Sequence, residues 1–385
     1  MHKTLLITID FPPQKGGVAT YLSNLCRNMD KDKIFVLADR REDSKHFDHK
    51  QNYKIIRARL FYKFFWPAWL RTMWRAKKVI RQEKIEQILI SHVLPMGYIA
   101  LMLKLPFIVS LHGYDVLAAQ KTPWKKYWLL KILNQAKAII VNSKFTQNEV
   151  LKLGISLNKI VIVYPCPNIK PENLILAERQ ALKAELELHG KKVLLSVGRI
   201  VPRKGFDKVI ESLPEVIERV PNLQYLIVGN GKFKDELENL ALKLKVLDHL
   251  TICEDIPDTN LPSYYDIADV FIMPARQIGS DVEGFGIVYL EANFFGKPVI
   301  AGKSGGACEA VIDGETGILV DPENVSDIAK TIIHLMNNQE YARKLGENGR
   351  IRVANEFQWN KHCLLYTSDA ADDLLCVDLG GRRII

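Results

Sequence analysis

The stretch Lys192-Val-Leu-Leu-Ser-Val-Gly198-Arg199-Ile-Val-Pro-Arg-Lys204-Gly-Phe-Asp207 reads as a short apolar strand that breaks at a glycine, crosses a basic loop and enters a helix. A continuous apolar run suits a strand covered on both faces, and the change of period behind it marks a βα unit. Gly198 and Gly205 let backbone approach a ligand. Arg199 supplies a planar fork and Lys204 a compact charge, both suited to phosphate oxygens. A solvated βα turn is the alternative reading of a lone Gly-Arg. Its place at a strand end, in the same half of the chain as two spaced glutamates, favours ligand binding.

The same alternation runs outward in both directions. Apolar runs predict strands at Thr4–Ile9, Ile34–Ala38, Ile88–Ser91, Phe107–Leu111, Ala138–Asn142 and Ile160–Tyr164 in the first half. In the second half they fall at Lys192–Val197, Leu223–Val228, Leu250–Cys253, Val270–Pro274, Pro298–Ala301 and Gly317–Val320. Amphipathic stretches between them make this an α/β chain of two doubly wound, Rossmann-like domains, whose strand-end loops are expected to face each other across a cleft. The 385 residues are enough for two such cores. The proline-bearing segment Pro165–Pro171 is the expected junction. It divides the chain into residues 1–168, 169–345 and a helical segment 346–362 that crosses back to the first domain. Residues 363–385 have no helical period and resemble a translated sequencing-adapter read, with an ordinary, poorly structured C-terminus as the alternative; they are set aside as an expected non-native tail, which would leave the last helix cut short.

Charge separates the halves. Residues 1–170 hold 29 basic and 11 acidic residues, a net of +18, whereas the rest holds 24 basic and 33 acidic, a net of −9. Such asymmetry suggests different partners for the two domains. The N-terminal apolar run is too short for a signal peptide, and no uncharged run approaches the roughly 20 residues that span a bilayer. The six cysteines show neither a C-x-x-C pair nor zinc spacing, so a reduced, cytosolic chain without a structural metal is expected.

Ser280-Asp-Val-Glu283-Gly284-Phe285-Gly286-Ile287-Val-Tyr-Leu-Glu291 sets two carboxylates around a glycine-bracketed aromatic. A helix beginning near Phe285 and Gly286 would offer free N–H groups to an anion. Carboxylates beside an anion site repel phosphate alone; they fit a ligand whose hydroxyls need acceptors next to its phosphates, such as a sugar nucleotide. Gly16-Gly17, after the first strand, can bring backbone to a phosphate or form a plain tight turn. His112, in Leu111-His112-Gly-Tyr-Asp115, ends another strand; a structural histidine is the alternative there. Gly305-Gly306 and Gly314-x-x-Gly317 read first as fold punctuation.

Taken in order, Gly16-Gly17, His112-Gly113, Gly198-Arg199 with Lys204-Gly205, Val228-Gly229-Asn-Gly231, Glu283 and Glu291 around Gly284-Phe285-Gly286, Gly305-Gly306 and Gly314-x-x-Gly317 resemble the signature of glycosyltransferase family 4. The resemblance covers residues 1 to about 360 and implies that residues 1–168 bind the acceptor and residues 169–345 the nucleotide sugar. It implies a retaining enzyme of the GT-B architecture that moves a hexose-type sugar from a nucleotide diphosphate sugar to a hydroxyl of a glycan or lipid-linked acceptor. Synthesis of bacterial-type cell-surface polysaccharide or glycolipid is the implied setting. Laid on matching positions, it implies that Arg199 and Lys204 bind the diphosphate, that Glu291 takes the ribose hydroxyls, and that Glu283 takes the donor sugar. It further implies that the N–H groups of Phe285, Gly286 and Ile287 contact sugar and phosphate and that His112 sits by the sugar's distal hydroxyl. Gly16 would touch phosphate, and Ile256 would pack near the base. Tyr164-Pro-Cys-Pro-Asn168 departs from the Pro-x-Gly-Val-Asp-like turn common among relatives.

With Glu283 committed to the sugar, no other carboxylate stands out as a nucleophile. The resemblance favours same-face attack in which the departing diphosphate oxygen helps to deprotonate the acceptor, so catalysis rests on positioning and leaving-group stabilisation. Asp281-Val-Glu283, which approaches an Asp-x-Asp metal motif, has its glutamate otherwise engaged, and metal independence is expected, with no cofactor beyond the nucleotide sugar as co-substrate. A non-hydrolysing sugar-nucleotide epimerase and a non-catalytic sugar-nucleotide-binding protein are the rival readings.

Residues 50–82, between Asp48 and Glu83, hold ten basic and no acidic residues, interleaved with Phe61, Tyr62, Phe64, Phe65, Trp66, Trp69 and Trp74. Residues 121–131 repeat the pattern. An anionic membrane surface suits this mixture, with the enzyme peripheral on the inner face of the cell membrane. A solvated face with its aromatics in the core suits it equally. Nothing like a nucleic-acid module accompanies the charge.

Overall fold

The structure, a computed structural model, describes residues 2–362 apart from residues 15, 63, 65 and 170–175. The end of the expected junction and the 363–385 tail lie outside the described residues. The chain forms two compact units, residues 1–165 together with the segment that starts at Trp359, and residues 166–358.

The first unit is a parallel sheet of β1 (Thr4–Thr8), β2 (Ile34–Asp39), β3 (Lys54–Ala58), β4 (Gln87–Ser91), β5 (Phe107–Leu111), β6 (Ala138–Val141) and β7 (Ile160–Ile162), in the order β3-β2-β1-β4-β5-β6-β7. β1, β4 and β5 are buried at every residue. Helices cover both faces of such a strand, and this is why these segments are apolar without alternation. The second unit has β8 (Lys192–Val197), β9 (Leu223–Val228), β10 (Leu250–Cys253), β11 (Val270–Met273), β12 (Val299–Gly302) and β13 (Gly317–Val320), also parallel, ordered β10-β9-β8-β11-β12-β13.

Twelve of these thirteen strands lie where apolar runs predicted them. β3 was not expected. Its sequence, Lys54-Ile-Ile-Arg-Ala58, pairs only with β2 and stays partly exposed. Charge on an edge strand discourages pairing with other chains, and it also erases the apolar signal of a strand.

Helix starts differ in how they are capped. Thr122, Ser143, Asn324 and Asn338 cap their helices through side-chain oxygens. The helices Gly17–Arg27, Phe206–Arg219 and Ile287–Phe294 begin instead at Gly16, Gly205 and Gly286, with no side-chain cap. Their first N–H groups are left to other partners.

Candidate active site

In each sheet the strand order turns back between two neighbours, β1 and β4 in the first unit and β8 and β11 in the second. Loops diverge at such a point and leave a crevice beyond the carboxyl ends of the strands. Both crevices hold ion pairs.

In the second unit the loop after β8 ends in a 3₁₀ turn, Pro202–Lys204, that directs two cations inward; Arg203 and Lys204 are 8% and 7% exposed. Glu283 arrives from the loop after β11. Lys204 Nζ donates to Glu283 Oε2 at 2.5 Å and Arg203 Nη1 to the same oxygen at 2.7 Å, while Arg203 Nε lies 2.9 Å from Asp281 Oδ1. Glu283 Oε1 accepts no hydrogen bond among the described residues. Burial opposes the charge on Glu283, but the two cations outweigh it and hold the carboxyl at about 2. Lys204 moves the other way, because burial lowers it by more than Glu283 raises it.

Arg199 does not join this group. Its side chain is exposed and makes no ion pair among the described residues. Arg203, not singled out from the sequence, is the second buried cation. The signal lay in Val201-Pro202, where proline opens the one-turn helix whose next two residues both reach Glu283.

Glycines hold the loops at close range. Gly205 has φ 75°, and a Cβ there would run into the Pro274 carbonyl. A Cβ on Gly306 would meet the Gly284 carbonyl, while the Gly306 N–H donates to the Glu283 carbonyl at 2.9 Å. Gly305-Gly306 therefore braces the segment that carries Glu283. Gly198 closes β8, its N–H donating to Val228 at 2.9 Å. The Phe285 ring is core, 2% exposed and 5.9 Å from Phe357, so only its backbone is available to a ligand. Gly286 precedes Ile287, the first residue of the helix. Glu291, one turn further along, accepts from Tyr265 Oη at 2.7 Å; burial raises its carboxyl and this bond partly offsets the rise. Ile256 is half-buried in the loop after β10.

In the first unit, Gly16 and Gly17 open the helix that follows β1. His112, one residue past β5, has its Nε2 3.3 Å from Ser110 Oγ, and its N–H donates to Asp115 Oδ1 at 3.0 Å. Burial keeps its imidazole neutral, with a pKa of about 3. His112 is not the lone histidine its sequence context suggested. The His92 ring lies 6.3 Å away, and His92 Nε2 is 3.1 Å from Asp10 Oδ2. Asp10 and His92 are each the first strongly polar side chain beyond a buried strand, the same signal that marked His112.

The two basic, aromatic stretches meet on one face of this unit. Tyr98 stacks on Trp69 at 5.7 Å and meets Trp128 edge-on at 5.1 Å, and Trp124 adjoins Trp128 at 5.7 Å. Trp66, Trp69, Tyr98, Trp124, Trp128 and Lys131 border an open apolar cavity of about 440 Å³. Phe64, Trp66, Trp74 and Trp124 are 99, 88, 61 and 66% exposed, so these rings are not core. No helix among the described residues is long and apolar enough to cross a membrane.

Known proteins share this framework. The family described as Glycosyltransferase Family 4 matches residues 15–169, and Glycosyl transferases group 1 matches residues 178–352. A GDP-mannose-dependent alpha-(1-6)-phosphatidylinositol monomannoside mannosyltransferase of Mycolicibacterium smegmatis is 30% identical over 92% of this chain and 94% of its own length. A Corynebacterium glutamicum protein, a GDP-mannose-dependent monoacylated alpha-(1-6)-phosphatidylinositol monomannoside mannosyltransferase, is 29% identical over 93% of this chain and 95% of its length. Among solved structures, Anabaena Alr3699/HepE in complex with UDP-glucose superposes with a TM-score of 0.81 at 18% identity, covering 96% of this chain and 100% of that one. At that identity the likeness speaks for the fold.

Proposed function

We propose, for a chain that belongs to glycosyltransferase family 4 and is a nucleotide-sugar-dependent glycosyltransferase, retaining transfer of a hexosyl group to a hydroxyl of a lipid-linked acceptor, with GDP-mannose as the donor to test first. The two similar mannosyltransferases support that donor and a glycolipid acceptor. The observation that carries the reading is the unequal use of Glu283. One oxygen is tied to Lys204 and Arg203, and the other is left open as an acceptor for a sugar hydroxyl.

Chemistry follows from these placements. Lys204, Arg203 and the exposed Arg199 meet the charge that grows on the departing diphosphate, together with the N–H groups at the helices that begin at Gly205 and Gly286. These cations are local, so the reading requires no metal ion. Glu283 Oε1 orients the donor sugar, and Glu291, steadied by Tyr265, takes the ribose hydroxyls. With Glu283 tied to two cations, its carboxylate is a poor nucleophile, which supports same-face attack with the diphosphate oxygen receiving the acceptor proton. The exposed tryptophans beside Lys131 support contact with an anionic membrane surface on the cytoplasmic side.

A thermal-shift panel of GDP-, UDP- and ADP-sugars tests the donor. A bound donor at a hundred times its Kd adds about 2.7 kcal/mol. GDP-mannose is expected to give the largest shift, with nucleotide release dependent on acceptor and an α-linked product by NMR. A panel without any shift, or release at an equal rate without acceptor, would overturn the reading.

A further inference from the structure

We propose that Arg276 is a positioning residue for the donor site: it clamps the one-turn helix Pro202–Lys204 on both sides of Lys204, and so holds that ammonium against Glu283. The inference rests on the transferase reading for its function but on separate contacts for its geometry, all of them within the second unit.

Arg276 lies three residues past β11, on the loop that runs on to Asp281 and Glu283. Its backbone N–H donates to the Arg203 carbonyl at 2.8 Å, which fastens the turn just before Lys204. Its guanidinium reaches beyond Lys204: Nη2 donates at 2.7 Å to Oδ2 of Asp207, in the first turn of the helix Phe206–Arg219. One residue thus grips positions 203 and 207 and ties them to the loop that carries Glu283. Gly205, between the two gripped positions, passes so close to the same loop that a Cβ would meet the Pro274 carbonyl. A third contact, from Nε to Glu323 Oε1 at 3.3 Å, ends on a carboxylate that is 62% exposed and contributes little.

Such a grip supplies what the Glu283 ion pairs lack. Charge draws Lys204 and Arg203 to Glu283, but attraction alone does not fix where an ammonium on a flexible four-carbon stem comes to rest. A diphosphate competes with Glu283 for both cations, so the turn has to be held by groups the ligand does not disturb. Arg276 and Asp207 serve because their side chains are only 11% and 14% exposed. They are joined by one hydrogen bond, although an arginine fork and a carboxylate can make two. Arg276 Nη1 and Asp207 Oδ1 are buried and have no partner among the described residues. Loss of either side chain therefore leaves the other charge stranded, with no spare group to take it up.

Lysine acetylation read by mass spectrometry on the full chain tests the clamp without any nucleotide. Burial is expected to protect Lys204 in wild type. In R276Q it should be labelled at least about tenfold faster, while Lys297, which donates to the Asp266 carbonyl in the same unit, keeps its rate. R276K, the milder variant, keeps a cation toward Asp207 but loses the planar fork, and should fall between them. Unchanged labelling of Lys204, or a parallel rise at Lys297 that marks general loosening, overturns the inference. GDP binding by isothermal titration gives a second readout. R276Q should weaken it at least about tenfold in the wild-type background but less than about threefold beside K204Q, since the clamp acts through Lys204. Equal losses in the two backgrounds would overturn the positioning role. Arg276-dependent protection of Lys204 in a chain that binds no GDP, UDP or ADP would support the clamp and count against the transferase reading instead.

Discussion

Glu283→Gln keeps the side-chain shape and removes the charge that Lys204 and Arg203 surround at 2.5 and 2.7 Å. The Glu283 carboxyl lies at about 2 in place of 4.5. At about 1.4 kcal/mol per pH unit the difference amounts to about 3 kcal/mol of coupling. Because the folded pKa is depressed, that stability is fully present above pH 4.5 and is lost as pH falls through about 2. The deficit of the variant in urea unfolding should therefore be constant from pH 7 to pH 5 and shrink on further acidification. The substituted amide still offers a carbonyl to the cations, so about 3 kcal/mol is an upper bound. For catalysis, exchanging a charge-assisted bond of about 1.5–3 kcal/mol to the donor sugar for a neutral one of about 0.5–1.5 kcal/mol lowers kcat/KM by about five- to fifteenfold. Unfolding within about 0.5 kcal/mol of wild type at pH 7 would refute the coupling. A kcat/KM within about threefold of wild type would refute the sugar-binding role.

Gly205→Ala and Gly306→Ala should each cost more than about 1 kcal/mol, because the added Cβ meets a backbone carbonyl in a fixed loop; Gly306→Ala should also weaken donor binding by moving Glu283, and isothermal titration separates the two effects. Tyr265→Phe removes the bond that restrains the rise of the Glu291 carboxyl, so donor affinity, which needs the carboxylate, should reach its plateau at a higher pH than in wild type. Trp66→Ala with Trp124→Ala should abolish sedimentation with phosphatidylglycerol vesicles at low salt and leave the thermal midpoint unchanged, since both rings are exposed; undiminished sedimentation would refute the membrane face.

Fold class and the order of the motifs were legible in the chain, because buried parallel strands, glycine turns and helix starts are written in local period and residue type. Segments such as Leu5–Ile7 and Val193–Leu195 are apolar whatever their neighbours are. β3 escaped because an edge strand can carry Lys54 in solvent and pair Arg57 with Asp48, so charge interrupts its apolar run. Side-chain partnership emerged with the folded sheets. Arg199 and Arg203 look alike in a loop, and burial at the 3₁₀ turn distinguishes them. Glu283 reads as an acceptor for sugar, yet strand order, 80 positions away from Arg203 in the chain, hands one of its oxygens to two cations. Asp10 and His92 are likewise far apart in sequence, and they meet because β4 pairs with β1. Periodicity records which face of an element is covered; which loops share a crevice depends on how the sheet is wound, and no local spacing carries that information.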